Sequence, residues 1–475
     1  MQRLLRQGFL LALVWVCLLA QPAWAAPALN AIRYHAAGET VRVVLDLSEA
    51  AAYSVRQSDD ALSIIVELDN TALLPQLKPE NIKHPAVVAV KPAAAGEKTR
   101  VVIECLQPVG YKAFALANPS RIVVDLTRIG EKKSEQEIAP GIRYTSWYKT
   151  NKAGALNVHI LDISSQSGYT LEPVLAKQSQ LGIAPLTQAM SYRSDSVAAV
   201  NASYFAANGD IIGLLKMDDE IVSSTPIART ALGIGGDGRI RMDQVGYRGE
   251  VELPAEKVAL SAVNESRGPN GLILYNRYWG PFTRTNGYGT EITVVGGVVT
   301  AVTQGNSPIP ANGYVLSAHG EAALKLGPLR PGDPVTLLQT LGAEWDQSLH
   351  VVGAGPMLVK QGNVFITTKL EEFGNDVAGG RAPRTAVGLT ADGRILLVVV
   401  DGRQAMSSGM SLLELALFMR ELGADTAMNL DGGGSSEMIV KGRIVNKPSD
   451  GKERRVGNAL AVVPKATLYG KTEPK

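Results

Sequence analysis

From Leu29 to about Thr127 apolar and polar residues alternate with a period of two. Within that stretch one phrase returns three times, as Val41-Arg-Val-Val-Leu-Asp-Leu47, Arg100-Val-Val-Ile-Glu-Cys-Leu106 and Arg121-Ile-Val-Val-Asp-Leu126. Leu62, Ile64, Val66 and Leu68 add a further one-faced strand. The alternation predicts antiparallel strands of a small β-sandwich over residues 28–128. The pattern lapses at Gly130-Glu-Lys-Lys-Ser-Glu-Gln-Glu137, which is polar and aperiodic, so residues 129–139 are expected to be a linker. A second domain, 140–467, follows. Leu156–Ile163 and Leu171–Val174 read as strands, Ile183–Tyr192 as a helix, and Val197–Phe205 as a buried strand. Residues 243–345 are rich in β patterns broken by Gly and Pro, and read as a β-rich insertion. The expected fold class is therefore α+β: a β-sandwich, then a mixed α/β domain carrying that insertion.

The densest pattern lies between residues 395 and 437. Ile395–Val400 is an unbroken apolar run, as for a strand covered on both faces, and stops at Asp401-Gly402-Arg403. Ser411-Leu-Leu-Glu414 is a capping box; Leu412, Leu415, Ala416 and Met419 recur at helical spacing, and Gly423 supplies the stop. A short strand, Ala427–Leu430, then ends at Asp431-Gly-Gly-Gly-Ser-Ser-Glu437. A strand-helix-strand unit makes its two strands parallel if they share a sheet, which would bring Asp401 and Asp431 out on one rim. Gly432, Gly433 and Gly434 remove side chains there and would let backbone amides approach an anion or a sugar oxygen, with hydroxyls from Ser435 and Ser436. A tight turn capped by an acid is the alternative.

These residues resemble the phosphodiester glycosidase family, that of N-acetylglucosamine-1-phosphodiester alpha-N-acetylglucosaminidase. The resemblance rests on Ala382-Pro-Arg-Thr-Ala-Val-Gly388, Val400-Asp-Gly-Arg403, Ser411-Leu-Leu-Glu-Leu-Ala416 and Asn429-Leu-Asp-Gly-Gly-Gly-Ser-Ser436. It continues through Val445-Asn446, Pro448-Ser-Asp450 and Arg455-Val-Gly-Asn-Ala459. It implies pocket roles for Asn201, Tyr204 and Phe205, although Ala202-Ser203 stands where the family pattern has glycines, and a strand-end turn residue is the alternative for Asn201. The repeated phrase of residues 28–128 resembles the AMIN domain, which implies targeting to peptidoglycan or another envelope glycan.

The chain has 475 residues, 47 Lys and Arg against 45 Asp and Glu, five His and two Cys. Arg3 and Arg6 precede an apolar stretch from Phe9 to Ala20, and Ala23-Trp24-Ala25 is a small-x-small cleavage signature, so residues 1–25 read as a secretory signal peptide. Its removal leaves 45 basic and 45 acidic residues and only Cys105. The near-neutral remainder shows no clustered positive charge for nucleic acid and no later stretch long enough for a transmembrane helix. The expected location is exported, periplasmic or envelope-associated.

Walker A, H-E-x-x-H, C-x-x-C and G-x-S-x-G motifs are absent from the sequence. What remains is carboxylates, arginines and glycine loops, an inventory suited to cleaving a sugar-1-phosphate diester. Phosphate is already a fair leaving group, so the protein must hold it and present a carboxylate to C1. In this reading Asp431 acts at C1, Asp401 is its partner or orients a sugar hydroxyl, and Glu437 is able to replace either. Ala228-Arg-Thr-Ala-Leu-Gly-Ile234 echoes Pro383-Arg-Thr-Ala-Val-Gly-Leu389, so Arg229 and Arg384 stand on equivalent hairpins from which both could face one anion; a duplicated scaffold whose arginines only brace its loops is the alternative. Arg384 and Arg403 would hold phosphate, Thr385 would bind substrate beside them, and Asn429 with the glycines and serines would complete the shell. No cofactor is expected, although Asn429-Leu-Asp431 with nearby oxygens would also suit a divalent cation such as calcium. Tyr275, Tyr278 and Trp279 are candidates for stacking on sugar rings, and core packing is their alternative.

Overall fold

The computed structural model describes residues 26–466 apart from 59–61, 85, 107–108, 129, 152–153 and 405. The segment expected to be a signal peptide, residues 1–25, lies outside the described residues. The chain divides into two compact units at Gly130 and Glu131.

The first unit is a sandwich of two five-stranded sheets. Val41, Val43, Leu45 and Leu47 alternate inward from Thr40–Leu47, and meet Ile64, Val66, Leu68, Val101, Ile103, Ile122, Val124 and Leu126 in one core. Each such side chain contributes about 1.5–3 kcal/mol on burial. The polar members of the repeated phrase form cross-strand ion pairs on the outer faces: Arg42 with Asp125 at 2.6 Å, Arg33 with Asp46 at 2.6 Å, and Arg100 with Glu67 at 2.7 Å. The recurrence of Arg, apolar residues and an acid is thus the signature of antiparallel neighbours. Cys105 sits in this core, where burial pushes its thiol up to about 12, the state of an inert side chain.

The second unit is built on an eight-stranded antiparallel sheet. In spatial order its strands are Glu131–Ala139, Ile142–Asn151, Gly154–Ile163, Ile395–Val400, Arg384–Thr390, Ala424–Asn429, Met357–Lys360 and Asn363–Val364. Every residue of Ile395–Val400 is buried because its two faces feed two cores. Leu397 and Val399 face a core shared with two further five-stranded sheets, and Leu396, Val398 and Val400 face the helix Leu412–Glu421. That helix starts at the expected capping box: the Glu414 amide donates to Ser411 Oγ, and the Ser411 amide donates to Glu414 Oε2.

Three expectations need correction. The polar stretch taken as a linker is the edge strand Glu131–Ala139, paired along its length with Ile142–Asn151; seven of its nine residues are exposed, so no buried face imposed a period. Ile395–Val400 and Ala424–Asn429 run the same way but are not neighbours, because the antiparallel strand Arg384–Thr390 is inserted between them. The helix expected over 183–192 is one short piece, Leu186–Ser191, preceded by a two-residue strand, Ala184–Pro185.

The β-rich segment forms a three-stranded and a five-stranded sheet around its own apolar cluster. Tyr275, Tyr278 and Trp279 are only 1%, 6% and 8% exposed and belong to cores; Tyr275 donates to the Glu265 carbonyl. They form no open sugar platform.

Candidate functional site

The inserted strand gives the rim its composition. Arg384 pairs with Val400 and Ala386 with Asn429, so the start of one strand and the ends of two others meet at one edge. Asp401, Asp431 and Arg384 all emerge there, yet their environments differ.

Asp431 remains partly exposed at the start of the glycine turn. The Gly432 amide donates to Asp431 Oδ1 at 2.9 Å. Desolvation raises this carboxyl to about 6, against the lowering influence of the Ser435 hydroxyl, the Gly432 amide and the Arg454 charge. The Asp431 charge also reaches Tyr204, whose phenol is pushed well above its ordinary range, chiefly by burial. Neither Asp401 nor Glu437 is among the charges acting on Asp431.

Asp401 is sunk, at 2% exposure, with both oxygens occupied. Oδ2 accepts from Asn157 at 2.7 Å, and Oδ1 accepts from Asn446 Nδ2 at 3.1 Å and the Lys447 amide at 3.0 Å. His159 Nε2 lies 3.6 Å from Oδ2. The expected partnership with Asp431 is replaced by an anchoring geometry. Asn446, held by Asp401, also bonds the Ser436 carbonyl and the Met438 amide. From the other side Asn201 donates to the Asp431 carbonyl at 2.6 Å and accepts from the Glu437 amide and from Thr385 Oγ1. Two asparagines therefore clamp residues 431–438, and the sequence expectation of a pocket role for Asn201 becomes one of shaping the loop.

Glu437 is also buried, at 2% exposure, and its carboxyl meets that of Glu453. Burial first, then the Glu453 charge and the contact with it, raise Glu437 to about 8. Glu453 accepts from the Thr187 amide at 2.6 Å and from Thr187 Oγ1 at 2.8 Å.

The arginines sort in the same way. Arg384, 3% exposed, donates to three carbonyls, those of Met410, Val377 and Gly380. Arg229 donates to the Glu371 carbonyl and lies 4.4 Å above the Phe373 ring, which packs on Tyr204. The two echoed hairpins do converge, since both arginine charges reach Tyr204, but both side chains are tied to the scaffold. Arg403 differs. It is exposed, sits in the left-handed region at φ 58°, and has no hydrogen-bond or ion-pair partner among the described residues. Its Nη1 lies 3.4 Å from where a Gly433 Cβ would be.

Of the expected amide donors, Gly432 serves Asp431 and Gly433 donates to the Pro383 carbonyl, leaving the Gly434 N–H as the one of the three without an acceptor among the described residues. A Cβ on Gly434 would collide with the Arg454–Asp450 ion pair, so that glycine admits Arg454 to the turn. Asn429 Oδ1 and Ser436 Oγ are buried without partners among the described residues. Phe205 is half-buried, packs against the core and bridges to Ile211. Among the described residues no three His, Cys, Asp or Glu side chains gather as metal ligands.

Sequence reasoning missed Phe373, Arg454, Glu453, Asn157 and the anchoring use of Asn446. Arg454 lies between the two quoted motifs at Asp450 and Arg455, which was a signal; Phe373 gave none.

Comparison with known proteins assigns the architecture. Residues 288–463 match the phosphodiester glycosidase family, and residues 31–105 and 87–142 match the AMIN domain. The phosphodiester glycosidase match therefore lies behind the AMIN match along the chain. Curated proteins similar to this chain include the SPbeta prophage-derived uncharacterized protein YomE of Bacillus subtilis, 43% identical over 81 residues (17% of this chain, 12% of that protein). The mouse (Mus musculus) N-acetylglucosamine-1-phosphodiester alpha-N-acetylglucosaminidase is 33% identical over 102 residues, 20% of each chain. This chain thus spans no more than a fifth of either curated relative. A crystal structure of a hypothetical protein from Synechocystis shares the fold at TM-score 0.66 and 23% identity, covering 92% of this chain and 80% of that one.

Proposed function

We propose that this protein is an exported hydrolase that cleaves the C1–O bond of a sugar-1-phosphate diester in a cell-envelope or exopolysaccharide glycan, held near that glycan by its AMIN domain. The observation that carries the reading is the pairing, across a side-chain-free turn, of a partly exposed Asp431 raised to about 6 with the unpartnered guanidinium of Arg403. Arg403 holds the phosphate, with the Gly434 N–H as a second donor. Arg454 adds positive charge without leaving Asp450. Asp431 is ionised above about pH 6 and supplies the carboxylate that faces C1 as positive charge grows there. The C1–O bond breaks, a phosphate monoester departs with the bridging oxygen, and the oxygen of water ends on the sugar. Asp401, Asn201 and Asn446 hold the turn in shape and touch no substrate.

The deciding experiment runs the reaction on a panel of sugar-1-phosphate diesters in isotopically labelled water. Label on the sugar supports the reading. Label on phosphate would make the protein a phosphodiesterase cutting P–O. Binding of wall polymers with no sugar released from any diester would make it a glycan-binding protein.

A further inference from the structure

The strands that deliver Arg229 to the rim open a second groove at their far ends. Arg229–Gly235 places Arg229 beside the candidate site, and Gly235, six residues on and therefore about 20 Å away, lines a cavity of about 780 Å³. The edge strand Ile240–Val245 and the short helix Ala343–Asp346 form its walls.

Trp345 is the prominent side chain in it. The indole is half-buried, packs against the apolar cluster of the insertion and brings its Cζ3 edge against Gly233: a Cβ there would stand 2.9 Å from Trp345 Cζ3, from Ser348 Oγ and from the Arg241 side chain. Glycine is thus what seats the ring against the strand and fixes its orientation. Trp345 Nε1 and Ser348 Oγ make no hydrogen bond among the described residues, and the exposed amides of Gln244 and Gln347 line the same groove.

The charges there are already matched within the protein. Arg239 pairs with Asp237, Arg241 with Glu344, and Asp243 with Lys360. Two cations and three carboxylates line the cavity, which gives an anion no reason to settle. A fixed aromatic face, free neutral donors and acceptors and self-compensated charge suit a ligand that is polyhydroxylated and uncharged.

We propose that this groove is a second carbohydrate-binding site, taking a neutral stretch of glycan with Trp345 as its stacking platform. The site deepens the reading of the protein as a glycan hydrolase, but it does not depend on hydrolysis. An enzyme whose diester bonds are embedded in a polymer gains from a hold on that polymer away from the scissile bond, through effective concentration.

Chitohexaose, cellohexaose and maltohexaose are the probes, titrated by calorimetry and tryptophan fluorescence into the full chain carrying Asp431→Asn. At least one is expected to bind, with affinity falling at least about tenfold in Trp345→Ala, equivalent to about 1.4 kcal/mol. Trp345→Phe, which keeps a ring and the fold, should retain part of the affinity, and Gly233→Ala, which unseats the ring, should lose it. Binding by none of the three hexamers, or equal binding by the Trp345→Ala chain, overturns the proposal while leaving the hydrolase reading untouched. Tighter binding of a polyanionic polymer at Trp345 than of any hexamer overturns it as well.

Discussion

Val400-Asp401-Gly402 and Leu430-Asp431-Gly432 are nearly the same sentence: an apolar strand, an aspartate, a glycine. In the folded protein one aspartate is 2% exposed with both oxygens bonded to the scaffold, and the other stays partly exposed and is driven up to about 6. What separates them is what each loop returns to. After Asp401 the chain closes back against Asn157 and residues 446–447, which cover the carboxylate and supply its donors. After Asp431 three glycines bring no side chains of their own over it, and its donors among the described residues are its neighbour's amide and the Ser435 hydroxyl. A buried carboxylate provided with donors stabilises a loop, whereas one partly desolvated and short of them is poised for chemistry.

The contrast is sharpened first by Asp431→Asn. The fold should persist while turnover of a sugar-1-phosphate diester falls by about 10²–10⁴-fold, the span for removing a group that acts directly on the reacting bond. Near-parental turnover in a folded variant would return Asp431 to the status of a turn residue.

Arg403→Ala comes next, with an expected loss of about 10–100-fold in kcat/KM, matching one hydrogen bond to a charged group. Arg384→Ala should instead lower the melting temperature, because three carbonyls lose their donor. If Arg403→Ala is silent and a folded Arg384→Ala loses phosphate affinity, the two arginines have been assigned the wrong way round.

Asp401→Ala is expected to destabilise the domain by about 1–3 kcal/mol for the unsatisfied donors it leaves, with activity lost in proportion to folded protein. Activity lost from a chain whose melting temperature is unchanged would restore Asp401 as a partner in chemistry.

The smallest effects concern pH. Activity should rise as pH rises through about 6, where Asp431 ionises. For stability the sign is opposite to the usual acid: Glu437 is raised from 4.5 to about 8, so its contribution is complete below about 4.5 and is lost as pH climbs through about 8. Glu437→Gln should flatten that decline in thermal melts taken across the range, and an unchanged slope would show that the carboxyl pair with Glu453 shares no proton.

How much of this was legible in the chain varies with distance along it. Ser411 and Glu414 lie three residues apart, and the capping box they spell is the one observed. Val41, Val43 and Leu45 announce a strand by alternation alone, and the recurring Arg and acid turn out to be outward ion pairs. Glu131–Ala139 was misread because an edge strand exposed on both faces has no apolar rhythm to detect. Arg229 and Arg384 were placed correctly at hairpin starts, yet their hydrogen-bond partners sit in loops over a hundred residues off in one case and under thirty in the other.

Local patterning by itself determined the elements that bury one face, the order of the two units and the glycine turn at Asp431, because backbone preference and the burial period act between residues a few positions apart. Only the tertiary structure decided which acid is covered, which arginine is free and where Trp345 finds a floor. Desolvation and hydrogen-bond supply are set by whatever the fold brings alongside, and Asp401 meets Asn157, 244 residues earlier, by an arrangement no window of sequence contains.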